Sequence, residues 1–195
     1  MKLSQIIFYI SLTIWLLPPL KQFRGKFFYY FLIQAISDPI SLILIKHHYF
    51  NIPFYVVKDI ILMLCLWNPK QAIKKAYFIV PVLLLIYYLV YDINYHITYL
   101  ILSVINIGIL YFIFKMATDD ILELKRVKVF YIVFILYELS VILKFIIAIT
   151  SINLGMVYFY VTTAFEILLG IFFIFVSERN ERFSIAIPER NKAAA

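Results

Sequence analysis

Seven apolar runs, most of them long enough to cross a lipid bilayer, follow one another along this chain of 195 residues. A membrane-spanning helix needs roughly 20 apolar residues, within a range of about 17–25. The third and fourth runs have about 16 residues, so their helices must stand upright or extend polar ends to the membrane surface. The pattern predicts an all-α fold, a polytopic bundle of about seven transmembrane helices in a single domain over residues 1–177. The runs cover residues 4–20, 27–46, 52–67, 76–91, 95–115, 129–150 and 154–176.

The composition favours a lipid environment. Hydrophobic residues make up 65% of the chain and charged residues 15%, whereas soluble domains have about 45–50% and about 25%. A compact soluble fold of this composition would expose large apolar patches to water. The single cysteine, Cys65, lies in an apolar run and cannot form an intrachain disulfide. We therefore interpret Cys65 as a small buried hydrophobe.

Basic residues alternate between the connections that join the runs. "KHHYFN" (46–51) has one lysine, and "YDINYH" (91–96) and "TSIN" (150–153) have none. Positive charge favours the cytoplasmic side, so we predict an outside N-terminus, a cytoplasmic C-terminus and a short cytoplasmic tail over residues 178–195. We expect a prokaryotic cytoplasmic (inner) membrane, and the net charge of +7 indicates topology rather than nucleic-acid binding. The basic connections and the tail hold Lys21, Arg24, Lys26, Lys70, Lys74, Lys75, Lys115, Lys125, Arg126, Lys128, Arg179, Arg182, Arg190 and Lys192.

Three segments near the ends of runs need their own interpretation. The first run carries Trp15, Pro18 and Pro19 but no small-residue cleavage site, so we interpret it as a retained helix. "TDDILELKRVK" (118–128) predicts a short interfacial helix before the sixth run, with a solvated connector as the alternative. We interpret the alanines at 193–195 as a remnant of cloning.

Ionisable residues inside the apolar runs are the candidate functional site. Each costs at least about 2.5–3.5 kcal/mol near the centre of a membrane helix, so such residues usually have a function. A rise of about 1.5 Å per residue places them at similar depths around the midplane of a core about 30 Å thick. We predict that they line one polar pocket shared by five helices. The pocket residues are Asp38, Lys58, Asp59, Asn106, Glu138, Lys144 and Glu166.

Helical spacing predicts how these side chains are presented. Polar residues three or four positions apart form one stripe, which should face the bundle interior. For the serines and threonines, simple hydrogen bonding between helices is the alternative. The stripes are Gln34, Ser37, Asp38 and Ser41; Tyr55, Lys58 and Asp59; Tyr99, Ser103 and Asn106; and Thr162, Thr163 and Glu166.

The directions of neighbouring charges predict their partners. Lys58 and Asp59 point about 100° apart on a helix, so each should pair with a different helix. Glu138 and Lys144 point about 120° apart and need separate partners. For Lys144, extension toward the outer surface is the alternative.

The balance of charge predicts a bound cation or protonated acids. Four acids and two lysines in the pocket leave two negative charges uncompensated if all are ionised. Burying that imbalance is costly, so some acids should be protonated or a cation or cationic ligand should bind. No particular metal is indicated.

Pro39 directly follows Asp38 in the second run. Because it has no N–H to offer the carbonyl of Ala35, the helix should bend or locally unwind there. Such breaks form binding sites in transporters, and a kink that only improves packing is the alternative.

Several function classes lack the residues they require. The last run has no lysine for a retinal, and His47, His48 and His96 lie at the outer edge, where they cannot clamp a haem. HExxH, GxSxG and glycine-rich phosphate-binding motifs are absent from the sequence. A lipid-modifying enzyme using Asp38, Glu138 or Glu166 as acid or base has no supporting motif. We predict no catalytic residue and no cofactor.

One short segment resembles a known family. "LPPLKQFRGK" (17–26) resembles the PQ-loop motif of the SWEET and PQ-loop transporters, with Pro19 in place of the motif's glutamine. The third and seventh runs also share an acid followed by aliphatic residues, "DIILML" and "EILLGI". The resemblance implies seven spans in a three-plus-one-plus-three repeat with the N-terminus outside, although the fifth run has no counterpart.

Two functions fit the sequence. The first is binding of a small ligand or cation in a receptor-like or partner-regulating role, with a membrane protein as partner. The second is a small proton- or cation-coupled transporter. The expected partners are the lipid bilayer, a small-molecule or cation ligand and a membrane protein, and nucleic acid is not expected.

Overall fold

The computed structural model describes residues 3–46, 52–67, 82–83, 85–86, 88–89, 94–150, 152 and 154–186. In these residues the chain is helical apart from one small antiparallel sheet, which confirms the all-α prediction. The elements are α1 (Leu3–Trp15), α2 (Pro18–Lys21), α3 (Phe28–Lys46), α4 (Ile52–Trp67), α5 (Tyr95–Leu124), β1 (Arg126–Lys128), α6 (Val129–Thr150), α7 (Gly155–Phe175), a 3-10 turn (Glu181–Phe183) and β2 (Ser184–Ala186).

Four helices are long and apolar enough to span a membrane, and they fit an integral membrane protein. The predicted bounds 27–46, 129–150 and 154–176 agree with α3, α6 and α7 to within a residue. The predicted run 76–91 lies outside the described residues except for 82–83, 85–86 and 88–89, which are helical. The four helices are Phe28–Lys46, Tyr95–Leu124, Val129–Thr150 and Val157–Phe175.

The prediction of one helix over 4–20 is wrong. α1 ends at Trp15, and the separate turn α2 begins at Pro18. Leu17, before Pro18, keeps helical angles (φ −90°, ψ −34°). Pro18 and Pro19, however, have no N–H to donate to the carbonyls of Ile14 and Trp15, and a proline is well suited to the first position of a new helix. Pro18 therefore ends one helix and starts the next.

The predicted interfacial helix at 118–128 is also wrong, as is the alternative of a connector. α5 continues without a break to Leu124, because no glycine or proline interrupts it after Gly108. It ends where Lys125 adopts a left-handed conformation (φ 50°) and donates its amide to the carbonyl of Ile121. At about 1.5 Å per residue this helix is longer than a bilayer core is thick, so its last turns extend beyond the core.

The ends of several elements meet on one side of the bundle. Strand β1 pairs with β2, with Val127 opposite Ile185. Lys26 lies 3.0 Å from Asp120 at the end of α5, and its backbone amide donates to Glu178 beyond α7. The basic connections at 21–26 and 125–128 and the start of the tail therefore share this side, which we call the basic side. The predicted basic connection with Lys70, Lys74 and Lys75 lies outside the described residues.

An aromatic layer fills the half of the bundle nearest the basic side. Its five phenylalanines are buried, with 0–1% of each exposed. The rings of Phe31 and Phe134 stack with centroids 5.5 Å apart, and Phe31 contacts Phe173 at 4.9 Å. Large rings in contact bury much apolar area and pack closely, so this layer joins α3, α6 and α7. Its members are Phe27, Phe31, Phe130, Phe134 and Phe173.

Candidate functional site

Asp59 on α4 and Glu138 on α6 are the two most buried acids of the predicted pocket. The side-chain amide of Asn106 on α5 donates to Asp59 Oδ2 at 2.7 Å and to the carbonyl of Leu102 at 2.8 Å. The second carboxylate oxygen, Oδ1, accepts no hydrogen bond of good geometry from the described residues. Asp59 therefore joins α4 to α5.

Lys58 and Asp59 each contact a different helix, as predicted, and they also pair with each other. Lys58 Nζ lies 2.9 Å from Asp59 Oδ1, and their side chains are 10% and 1% exposed. The flexible four-carbon stem of lysine lets the ammonium bend back, although the two Cβ atoms diverge. Lys58 also donates to Gln34 on α3 at 3.3 Å, so a contact between helices exists as well.

Glu138 on α6 takes its partner from α3. The hydroxyl of Tyr30 donates a hydrogen bond to Glu138, and both side chains are buried. Lys144, six residues further along α6, pairs elsewhere. The prediction of separate partners for Glu138 and Lys144 is therefore confirmed.

Lys144 points inward rather than toward the outer surface. Its ammonium lies 2.5 Å from Glu166 Oε1 on α7, and the two side chains are 32% and 17% exposed. The hydroxyl of Tyr158, about two turns earlier in α7, is buried and has no hydrogen-bond partner among the described residues. The charge of Glu166 acts on that hydroxyl, so an unused polar group lies close to this ion pair.

Asp38 is half-buried on α3. The charges of Lys58, Lys144 and Glu166 all act on its carboxylate. In the part of the chain that the structure describes, this carboxylate forms neither a hydrogen bond nor an ion pair. Asp38 thus differs from the other three acids, each of which has a donor.

The helix continues through Pro39, so the predicted local unwinding is not found. The carbonyl of Ala35 still lacks the amide that any other residue at position 39 would provide. Ala35 is buried, and this carbonyl lies one turn before Pro39, on the same helix as Asp38.

Two tyrosines belong to the site but were not among the predicted residues. Tyr137 is buried on α6, and the charges of four acids act on its hydroxyl: Glu166, Glu138, Asp38 and Asp59. Tyr30 is the donor to Glu138. Tyr30 precedes Gln34 by four residues, so extending the stripe on α3 by one turn would have found it. Tyr137 carries no such periodic signal, because it adjoins Glu138 directly.

The hydroxyl residues of the stripes mostly bond within their own helix. Ser37, Ser103 and Thr162 donate to carbonyls four residues earlier. Ser41 on α3, by contrast, contacts the hydroxyl of Tyr55 on α4 at 2.9 Å. Bonding between helices is therefore observed for Ser41.

The acid-rich cluster and the aromatic layer lie one above the other. The cluster comprises Asp38, Lys58, Asp59, Asn106, Glu138, Lys144 and Glu166 with Tyr30 and Tyr137. The ring of Tyr30 lies 4.8 Å from that of Phe134 in the layer, while its hydroxyl bonds Glu138 in the cluster. The layer separates the cluster from the basic side.

The cluster suits a cation better than a coordinated transition metal. No group of three or more histidine, cysteine, aspartate or glutamate residues within the described ranges has the arrangement of a metal site. If all four carboxyl groups were ionised, they would exceed the two ammonium groups by two negative charges in a water-poor environment. Such an excess attracts a single cationic group, or protons.

A second polar network, on the basic side, was not predicted. Gln22 donates its side-chain amide to the carbonyls of Phe173 and Val176, at 3.2 and 2.9 Å. Arg179 donates to the carbonyl of Arg24. This network uses residues of the segment that resembles the PQ-loop motif. Its contacts join residues more than 150 positions apart, so no local pattern in the sequence predicts them.

No protein family model, curated protein or solved structure matches this chain. The resemblance of residues 17–26 to the PQ-loop motif stays a prediction from ten residues.

Proposed function

We propose that this chain is an integral membrane protein whose acid-rich cluster binds a small cationic ligand, in a receptor-like or partner-regulating role. It spans a prokaryotic cytoplasmic (inner) membrane about seven times, with the N-terminus outside and the C-terminus in the cytoplasm. The ligand enters from the outer side. Signalling passes to a membrane protein partner.

The observation that carries this proposal is the carboxylate of Asp38, which has neither a hydrogen bond nor an ion pair among the residues that the structure describes. A half-buried carboxylate in a membrane bundle is costly unless it is protonated or paired. Lys58 and Lys144 already lie 2.9 and 2.5 Å from Asp59 and Glu166. A cationic ligand between these pairs would give Asp38 a partner and reduce the negative excess of the cluster.

The topology is supported by the shared position of the basic connections. Residues 21–26, residues 125–128 and the segment after α7 meet on one side, and positive charge favours the cytoplasm. The helical residues 82–83, 85–86 and 88–89 support a further helix between α4 and α5. An outside N-terminus follows if α1 crosses the membrane once.

Native mass spectrometry of the gently solubilised protein tests the proposal. We expect a discrete added mass that persists in Asp119→Asn and is lost in Asp38→Asn. Asp119 is an exposed acid near the end of α5, so the control removes the same charge outside the cluster. Retention of the same mass in Asp38→Asn, or a bare protein that takes up neither inorganic cations nor primary amines, would overturn the proposal.

A fold check separates loss of binding from loss of structure. Asp38 has no hydrogen bond to lose within the described residues, so Asp38→Asn should melt at or above the wild-type temperature. Glu166→Gln should weaken retention of the ligand as well and remain folded, with Glu123→Gln as the exposed control. Loss of folded protein in both cluster variants would instead indicate a structural role for the acids.

A small proton- or cation-coupled transporter is the second candidate. It is favoured by Pro39 beside Asp38 on a continuous helix, and by the closure of one side of the cluster by the aromatic layer. Alternating access requires a site near the midplane that is closed on one side at a time. Solute uptake into proteoliposomes, driven by an imposed pH or cation gradient and lost in Glu166→Gln, would favour transport. Tight retention without flux would favour binding.

A further inference from the structure

Tyr158 carries a buried hydroxyl group that has no hydrogen-bond partner within the described ranges. It lies near the start of α7 (Gly155–Phe175), which is the end of that helix away from the basic side. Buried polar side chains of proteins almost always have a partner. The hydroxyl of Tyr158 is therefore a group that a bound molecule can satisfy.

Tyr158 shares one face of α7 with Thr162 and Glu166. The three residues are spaced four positions apart, so they lie one above another along the helix. At about 1.5 Å per residue, Tyr158 lies about 12 Å from Glu166 along the helix axis. The charge of Glu166 acts on the hydroxyl of Tyr158. This face therefore extends from the acid-rich cluster toward the start of α7.

Thr162, between the other two, already uses the proton of its hydroxyl. That hydroxyl donates to the carbonyls of Tyr158 and Phe159, at 2.9 and 3.2 Å. Along this face α7 thus offers a charge at Glu166, a committed donor at Thr162 and an unused hydroxyl at Tyr158. A ligand that fits this order is charged at one end, apolar in its middle and polar at its other end.

A second tyrosine near an ion pair shows the contrast. Tyr55 on α4 has the ammonium of Lys58 5.3 Å from the centroid of its ring. The hydroxyl of Tyr55 contacts the hydroxyl of Ser41 on α3 at 2.9 Å. Tyr55 therefore joins two helices, whereas the hydroxyl of Tyr158 joins α7 to no other described element.

Asp38 belongs to the part of the cluster that adjoins this face. The charges of Lys144 and Glu166 both act on its carboxylate. The ammonium of Lys144 is already 2.5 Å from Glu166 Oε1. A second ammonium, carried by a ligand, would therefore find its acceptor at Asp38.

We propose that the ligand of the acid-rich cluster is an elongated organic amine with a hydroxyl or carbonyl group at the end away from its ammonium. The inference rests on the proposed function. The ammonium pairs with Asp38, and the far oxygen shares a hydrogen bond with Tyr158, whose phenol both donates and accepts. The hydrocarbon chain between them passes Thr162. A bare inorganic cation at Asp38 would leave the hydroxyl of Tyr158 without a partner.

Matched pairs of amines test the inference. Long linear amino alcohols, and the alkylamines of the same chain lengths, are titrated calorimetrically into the protein in a non-ionic detergent. Detergent micelles take up each amine to a different extent. Each amine's Kd is therefore compared between the wild-type protein and a variant, so that this uptake cancels.

Tyr158→Phe removes only the hydroxyl. One hydrogen bond changes an affinity about two- to tenfold, so this variant should bind the amino alcohol more weakly by that factor and the alkylamine equally well. Tyr160→Phe is the matched control, because Tyr160 lies about 160° around α7 from Tyr158, and it should bind both amines as the wild type does. The same Kd for the amino alcohol in the wild type and in Tyr158→Phe would overturn the inference.

Asp38→Asn distinguishes failure of this inference from failure of the proposed function. We expect it to weaken binding of the amino alcohol and of the alkylamine alike. If neither amine binds to the wild type, or if Asp38→Asn binds both as tightly, the proposed function fails and the inference with it. If both amines depend on Asp38 but neither depends on Tyr158, only the inference fails.

Melting temperatures check the role of Tyr158 independently. Without an amine, Tyr158→Phe loses no hydrogen bond among the described residues, so it should melt at or above the wild-type temperature. At one fixed concentration of the amino alcohol, the wild type should gain more in Tm than the variant, because the tighter ligand stabilises the folded state more. A lower Tm of the variant without an amine would mean that the hydroxyl has a structural partner, and would overturn the inference.

Discussion

The carboxylate of Glu178 accepts a hydrogen bond of 2.8 Å from the backbone amide of Lys26, although 152 positions separate the two residues. The side chain of Gln22 makes the reciprocal contact with the carbonyl of Val176 at 2.9 Å. Each segment therefore supplies a side chain to the backbone of the other. Together they fix the connection after α1 to the end of α7.

Gly25→Ala tests this contact. A Cβ at position 25 would lie 2.6 and 2.9 Å from the two carboxylate oxygens of Glu178, and 2.9 Å from the backbone carbonyl of Gln22. Glu178 can move only by giving up its bond to Lys26, and the carbonyl of Gln22 cannot move without its backbone. We expect the free energy of unfolding to fall by about 1–3 kcal/mol, measured by denaturant titration of the protein in detergent micelles.

Gly108→Ala is the matched control for that substitution. Its Cβ would meet the sulfur of Met63 at 3.2 Å, and a methionine side chain is flexible enough to move. We expect a much smaller change in the free energy of unfolding. If both variants lost the same free energy of unfolding, the contact of Gly25 with Glu178 would not be the cause of the loss.

The Tyr30–Glu138 hydrogen bond should contribute to stability. Tyr30→Phe keeps the ring against Phe134 but leaves a buried carboxyl group without its donor, which costs about 1–3 kcal/mol. Tyr137→Phe is the control, since the hydroxyl of Tyr137 has no hydrogen bond within the described residues and its ring contact with Trp15 persists. That variant should lose under about 1 kcal/mol. Thermal unfolding followed by circular dichroism distinguishes the two, and equal melting temperatures would contradict the expectation.

Much of the fold could be predicted because a bilayer imposes a length on apolar helices. The bounds of α3 and α6 follow from hydropathy alone, since charged or polar residues flank each run. The end of α5 could not be found in this way. The helix continues to Leu124 because the charged residues there have good helix propensity. It ends at Lys125, which adopts a left-handed conformation, and a lysine does not indicate a helix end in the sequence as a glycine would.

The candidate site could be predicted by position but not by pairing. Depth and helical spacing predicted that Asp38, Asp59 and Glu166 face inward at a similar depth. In the structure, the charges of Lys58 on α4, Lys144 on α6 and Glu166 on α7 act on Asp38. Partners depend on side-chain rotamers and on the rotation of neighbouring helices. For that reason the direct pair between Lys58 and Asp59 was not predicted, although the contact of each residue with another helix was.

The two lysines that share Asp120 should differ in their contribution. Lys26 is 58% exposed and Lys128 is 12% exposed. Solvent screens the exposed pair, so Lys26→Met should cost at most about 1 kcal/mol. Lys128→Met removes a desolvated partner from a buried carboxylate and should cost about 1–3 kcal/mol. Denaturant titration of both variants checks the order, and a larger loss in Lys26→Met would contradict it.

The pair Lys144–Glu166 can be measured by a double-mutant cycle. Each single variant, Lys144→Met and Glu166→Gln, leaves one charge without its partner at 2.5 Å. Breaking a fully buried pair costs roughly 3–5 kcal/mol, and less is expected here because the side chains are 32% and 17% exposed. The double variant should lose less than the sum of the single losses, with a coupling of about 0.5–3 kcal/mol. If Lys144 instead extends to the outer surface in the bilayer, the two losses add and the coupling is zero. Repeating the cycle at high salt discriminates further, because screening weakens an exposed pair and leaves an interior pair almost unchanged.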